Sequence, residues 1–204
     1  MHRRLTVHTV GCKANFADSA SIVREAVAAG FEVVPPTEPA DVVIVNSCTV
    51  THRADRDSRA LIRRAKRAHP GALVVMTGCY AQNSPDAKEK LPEADRWIGL
   101  GDHGLLGSLL REFGGGGNAE LFPISEYASN LLLGHNRTFL KIQDGCDFSC
   151  AYCVVPLVRG KNRSLPEREI LEKAVAAEKE GARELVLTGI HVGLYGADRG
   201  EKDA

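Results

Sequence analysis

The chain has 204 residues, 44% apolar and 25% charged, and its 26 cationic and 26 acidic side chains cancel to a formal net charge of zero. That is the make-up of a globular protein with room for one large or two small domains. Its bulk electrostatics do not advertise a nucleic-acid binder, and no stretch supplies the roughly 20 apolar residues of a membrane span.

Strand and helix signals alternate over the first part of the chain. Leu5 to Val10 is strand-like and stops at Gly11-Cys12. A helix is expected from about Asn15, with Phe16, Ala20, Val23 and Val27 at helical spacing, Asn15 and Asp18 placed to cap it, and Gly30 ending it. Phe31 to Val34 reads as a short strand closed by Pro35-Pro36. The apolar run from Asp41 to Val45 has the character of a strand covered on both faces and leads into Asn46-Ser47-Cys48. Ala54 to His69 is a helix, ended by Pro70-Gly71; Leu73 to Thr77 is a further buried strand running into Gly78-Cys79. Weaker helix signals lie at Asp86 to Leu91 and Leu105 to Phe113, with a strand signal at Trp97.

Gly114 to Asn118 marks a flexible boundary, and a poorly patterned connector continues to Asn136. Thr138 to Gln143 alternates as a strand. Ser164-Leu-Pro-Glu167 reads as a capping box opening a helix to Gly181, and Glu184 to Thr188 is the next strand. This strand–loop–helix–strand unit is the repeat of a β/α barrel. The expected fold class is α/β. A parallel-sheet domain at 1–113 and a linker at 114–136 precede the start of a partial barrel at 137–204.

Six cysteines fall into two groups of three. Cys12, Cys48 and Cys79 each stand just past the carboxyl end of an expected strand, separated by 35 and then 30 residues. Ligands in open α/β sheets gather at that edge, so three distant thiols converge there; unrelated buried thiols are the bland reading. Cys146, Cys150 and Cys153 form C-x3-C-x2-C on one loop. The short apolar run near the start does not read as a signal peptide. A cytoplasmic location is therefore expected, where clustered thiols mean metal or catalysis sooner than disulfides. Zinc or an electron-transfer cluster usually takes four protein ligands. Three thiolates on a four-iron cluster leave one iron open for chemistry.

The loop Gly145-Cys-Asp-Phe-Ser-Cys-Ala-Tyr-Cys153 resembles the signature of radical S-adenosylmethionine enzymes, including the aromatic Tyr152. With Thr9-Val-Gly-Cys-Lys13, Asn46-Ser-Cys-Thr49 and Thr77-Gly-Cys-Tyr-Ala-Gln82, nearly the whole chain resembles the methylthiotransferases of that superfamily. The resemblance implies two 4Fe-4S clusters: an auxiliary one on Cys12, Cys48 and Cys79, and a radical-generating one on Cys146, Cys150 and Cys153 that binds S-adenosyl-L-methionine. It also implies an inserted sulfur that one cofactor molecule methylates, while a second provides the radical that removes hydrogen from an unactivated carbon. Tyr152, Arg159, Thr188 and Gly189 are the expected cofactor contacts.

Residues 46–59, Lys141 to Asp147, Arg159-Gly160 with Arg163-Ser164, and Thr188 to Gly196 are most similar to the branch acting on threonylcarbamoyladenosine in tRNA. Its implied target is carbon 2 of the adenosine beside the anticodon. The other branches act on isopentenyladenosine in tRNA or an aspartate of a ribosomal protein. Implied partners are the tRNA anticodon stem-loop, a reducing electron donor such as flavodoxin or ferredoxin, and a sulfur donor. A non-catalytic iron–sulfur redox module and a zinc-stabilised binding domain are the alternatives from other classes.

Arg56, Arg59, Arg63 and Arg67 form one helical stripe, read either as a tRNA-phosphate contact or as a solvated face supported by Asp55–Arg59 pairing. Residues 138–204 hold two strands and one helix, whereas a six-unit partial barrel at ~30 residues per unit needs more chain. A fragment that binds clusters but does not methylthiolate tRNA is therefore expected, with an apolar sheet edge left exposed.

Overall fold

The computed structural model describes residues 3–114 and 125–200; the glycine run beyond Gly114 and both chain ends lie outside the described residues. In chain order the first part comprises β1 (Arg4–Thr9), α1 (Lys13–Ala28), β2 (Glu32–Val33), β3 (Val42–Ser47), α2 (His52–Ala68), β4 (Leu73–Gly78), α3 (Cys79–Asn83), β5 (Arg96–Trp97) and α4 (His103–Phe113). All five strands pair in parallel in the order β2-β1-β3-β4-β5. β3 is buried at every position because helices cover both faces. Val42 and Ile44 pack with Val23 of α1 and Leu106 and Leu110 of α4, while Val43 and Val45 pack with Leu61, Ile62 and Ala65 of α2. Burying one such side chain contributes about 1.5–3 kcal/mol, whereas strand propensities span only ~1 kcal/mol. Packing therefore dominates at the sheet centre. The strand order reverses between β1 and β3, which opens a crevice beyond their carboxyl ends.

The second part comprises α5 (Glu126–Leu132), β6 (Thr138–Lys141), β7 (Gln143–Asp144), α6 (Val155–Arg159), β8 (Arg163–Ser164), α7 (Glu167–Lys179) and β9 (Leu185–Thr188). β6 and β9 pair in parallel, as a strand–helix–strand unit requires, and β7 and β8 pair antiparallel. α1 packs against both α5 and β6, so one helix serves both sheets. Leu171 and Val175 of α7 and Leu187 of β9 are exposed. No helix among the described residues is long and apolar enough to cross a membrane.

Several local expectations are corrected. Asn15 and Asp18 do not cap α1, which starts at Lys13 without a side-chain cap; both are buried and hydrogen-bonded to distant segments instead. Thr51 caps α2, accepting from Ala54 N at 3.0 Å. The connector carries α5, whose cap Ser125 accepts from Ala128 N at 3.1 Å; seven residues are too few to show a helical period. Ser164 does not cap α7, because pairing in β8 holds it where its hydroxyl donates to Asp198 Oδ1 at 2.6 Å.

Candidate functional site

The first three thiols meet at the carboxyl edge of the parallel sheet. Cys12 directly precedes α1, Cys48 follows β3, and Cys79 opens α3 directly after β4. Cys12 is exposed, whereas Cys48 and Cys79 are buried, and all six cysteines of the chain are free thiols. Asn15 ties the edge together: its Nδ2 donates to Val10 O at 2.7 Å and to Ser47 O at 2.9 Å. Its Oδ1 lies 3.7 Å from Cys79 Sγ. Ser58 of α2 grips Cys48 by both backbone groups, accepting from its N and donating to its O at 3.2 Å each. Gly11, at φ +119°, leaves space that matters, since a Cβ there would lie 2.8 Å from Cys48 Sγ. A side chain in that conformation would be strained as well as crowded.

Burial pushes the Cys48 thiol up, and Cys12 adds to the shift. Burial pushes Cys79 up to about 11, with Arg159 acting against it. Metal binding at these positions must therefore displace protons from neutral thiols.

The second triad occupies the loop between β7 and α6. Gly145, at φ +72°, makes the approach possible, because a Cβ would come within 2.0 Å of Lys161 O. Cys146 N donates to Gly160 O, and Cys153 N to Cys150 O, both at 3.0 Å. Gln143, which the sequence reading did not single out, is the hub. Its Nε2 donates to Gly145 O and Asn162 Oδ1 at 2.7 Å each, and its Oε1 accepts from Ile190 N and His191 N at 2.9 Å each. Its signal in the sequence is a polar residue closing the run Thr138 to Gln143; in the structure it is 1% exposed. Cys150 is exposed, while Cys146 and Cys153 are partly covered. Tyr152, at 93% exposure, points into solvent, as does much of Phe148. Thr188 is buried, and Gly189 lies so close to Gln143 that a Cβ would meet its Oε1 at 2.7 Å.

The two triads are linked by charge. Arg159, the last residue of α6, is 5% exposed. Its Nη1 donates to Asp144 Oδ1 at 3.0 Å, and its Nη2 to Asn15 Oδ1 at 2.5 Å and to Asp18 Oδ2 at 2.8 Å. Lys141 pairs with Asp18 and, at 2.7 Å, with Asp144. Burial opposes the charged form of Asp144, but Lys141 and Arg159 outweigh it and hold the carboxyl at about 2. Burial likewise opposes the charge on Arg159, and Asp18 and Asp144 reverse that, raising it above its usual value. The guanidinium is thus engaged by Asn15 and Asp18 of the first part of the chain and by Asp144 of the second.

Among the described residues, no three His, Cys, Asp or Glu side chains come close enough to hold one metal ion. A four-iron cluster makes a different demand, one thiolate on each of three separate irons. Free thiols set around loop edges, with glycine keeping space beside Cys48, suit that demand. The arginine stripe of α2 is partly neutralised: Arg56 approaches Asp57 at 3.8 Å and Arg63 approaches Glu93 at 3.5 Å, and outside the stripe Arg53 also approaches Asp57, at 3.7 Å. Arg59 lies over the Tyr80 ring at 5.6 Å.

Residues 4–99 match the family described as Uncharacterized protein family UPF0004, and residues 140–201 match the Radical SAM superfamily. Over 205 residues the chain is 36% identical to the threonylcarbamoyladenosine tRNA methylthiotransferase MtaB of Aquifex aeolicus (strain VF5), covering 97% of this chain and 50% of that protein. It is 35% identical over 204 residues to the protein of the same name from Bacillus subtilis (strain 168), covering 94% and 44%. A ribosomal protein uS12 methylthiotransferase RimO from Lachnoclostridium phytofermentans (strain ATCC 700394 / DSM 18823 / ISDg) is 30% identical over 200 residues, covering 93% and 46%. The chain spans about half the length of these relatives.

Proposed function

Since the chain belongs to the radical S-adenosylmethionine methylthiotransferase family, we propose that it carries the two cluster sites of a tRNA methylthiotransferase acting at carbon 2 of threonylcarbamoyladenosine beside the anticodon. The observation that carries this reading is the presence of two separate groups of three free thiols at loop edges. Cys12, Cys48 and Cys79 anchor an auxiliary 4Fe-4S cluster in a domain at 1–113. Cys146, Cys150 and Cys153 anchor the second cluster at the start of a partial barrel at 137–204. When bound, the second centre supplies an open iron for S-adenosylmethionine and the electron that cleaves it, and the first holds sulfur for transfer.

The chain's own residues do the positioning. Gln143 fixes both the base of the cysteine loop and the turn after β9. Tyr152, Thr188 and Gly189 are assigned to the cofactor side. Arg159 is reassigned from cofactor contact to the space between the triads, because its guanidinium is engaged by Asn15, Asp18 and Asp144. The anticodon stem-loop of tRNA, a flavodoxin or ferredoxin and a sulfur donor are the proposed partners in the cytoplasm.

Two relatives bearing the threonylcarbamoyladenosine name support this branch; the RimO relative keeps a ribosomal-protein aspartate as the second reading. The test is complementation of a host lacking its own enzyme with this chain joined to the remaining half of a threonylcarbamoyladenosine relative, followed by mass spectrometry of tRNA nucleosides. A 2-methylthio derivative of threonylcarbamoyladenosine is the expected product. A methylthio group found on isopentenyladenosine or on ribosomal protein, and none on this nucleoside, overturns the branch.

A further inference from the structure

Arg159 presents an arrangement that the reaction as outlined does not require. It sits six residues after Cys153, at the end of the short helix that follows the second triad, yet its Nη2 edge points into the first. Asn15 Oδ1 accepts from that edge at 2.5 Å and lies 3.7 Å from Cys79 Sγ. Only one carboxamide oxygen therefore stands between the guanidinium and a thiol of the other triad. The orientation of that carboxamide is locked, because its Nδ2 is already used on Val10 O and Ser47 O.

Stability alone is a weak reason for this geometry. Burying a guanidinium carries a desolvation cost, and well-packed apolar side chains commonly replace buried ion pairs with no loss of stability. Within the group, Arg159 and Lys141 balance Asp18 and Asp144. Thiolates added at Cys12, Cys48 and Cys79 would bring negative charge beside a cation that is already fixed. A buried positive charge near a cluster favours its reduced, more negative form and so raises its reduction potential, as do charge and hydrogen bonding around cluster sulfurs generally.

We propose that Arg159, delivered by the loop of the second triad, is the outer-sphere cation of the first and sets the reduction potential of the centre held by Cys12, Cys48 and Cys79. This rests on the reading of that triad as a cluster site. Arg159 acts by its charge beside Cys79, because the proton that Cys79 Sγ donates to Asn15 Oδ1 leaves when the thiol becomes a ligand, and it makes the first centre's electronics depend on docking of the second part of the chain. Asp18 opposes it from 2.8 Å, so the two residues should move the potential in opposite directions.

The experiment is EPR-monitored potentiometry of the reconstituted chain in a Cys150→Ala background, which removes a ligand of the second centre at an exposed position. Arg159→Gln should make the remaining centre harder to reduce by at least tenfold in the redox equilibrium, about 59 mV for one electron. Arg159→Lys should restore part of the shift, and Asp18→Asn should move the potential upward. If Arg159→Gln does not fold, the sign of the Asp18→Asn shift decides. Cys79→Ala identifies the signal. A signal that survives Cys79→Ala overturns the cluster assignment itself. A Cys79-dependent signal whose potential ignores Arg159 and Asp18, or moves the same way in both variants, overturns the inference alone.

Discussion

Gln143 Nε2 donates a 2.7 Å hydrogen bond to Asn162 Oδ1 across the base of the loop that carries Cys146, Cys150 and Cys153. Both side chains are buried, and Gln143 also receives the backbone N–H groups of Ile190 and His191. The hub therefore joins the cysteine loop to the turn after the second barrel strand. Gln143→Ala removes the acceptor of those partly buried donors and the donor to Gly145 O and Asn162 Oδ1, at a cost of about 1–3 kcal/mol. Urea titration should show that loss. Iron analysis should show the second centre depleted with the first retained, and equal depletion of both would argue against a local role.

Thiol accessibility separates the cysteines before any metal is present. Cys48 and Cys79 are 1% and 2% exposed, and burial raises both thiols. In metal-free folded protein, iodoacetamide should label Cys12 and Cys150 quickly and these two slowly, because the thiolate is the reactive form. Mass spectrometry of time points reads the order. Fast labelling of Cys79 would mean that the sheet edge is open in solution.

Gly11→Ala tests the space kept beside Cys48. The added Cβ would sit 2.7 Å from Cys48 Cβ at a backbone φ of +119°. Strain of ~1–3 kcal/mol is expected, together with loss of iron from the first centre only. Full iron content in this variant would show that Cys48 needs no such clearance.

Away from both triads, Asp95 gives a pH-dependent test of the fold. Burial opposes its charge, but hydrogen bonds from Lys66 Nζ and Val74 N, both at 2.7 Å, outweigh this and hold the carboxyl below its usual value. A depressed carboxyl contributes stability that is present above its unfolded pKa, ~3.9, and lost as pH falls through the lower folded value. Asp95→Asn should cost about 1–3 kcal/mol at neutral pH, and the gap to wild type should close in acid. A gap that stays constant from pH 7 to pH 3 would remove the carboxylate from the account.

The strand edges were legible because their signal is local: β3 and β4 are apolar runs that end at Ser47-Cys48 and Gly78-Cys79. The placement of three cysteines at equivalent edges followed from that pattern. Asn15 and Asp18 misled as helix caps because the residue types that cap also make tertiary hydrogen bonds, and sequence spacing does not separate the two. α5 was hidden by its seven-residue length. The Arg159–Asn15 contact spans 144 positions; no local pattern encodes it, although an arginine close behind a cysteine loop was visible as a candidate.

The central claim is that each triad independently holds a four-iron centre. The direct measurement is iron and acid-labile sulfide content after anaerobic reconstitution, in wild type and in the two variants with one triad replaced by alanine. The account predicts about eight irons per wild-type chain and about four in each variant, with S-adenosylmethionine perturbing the spectrum only where Cys146, Cys150 and Cys153 remain. Zinc without sulfide, or an iron content unchanged by loss of either triad, would contradict it.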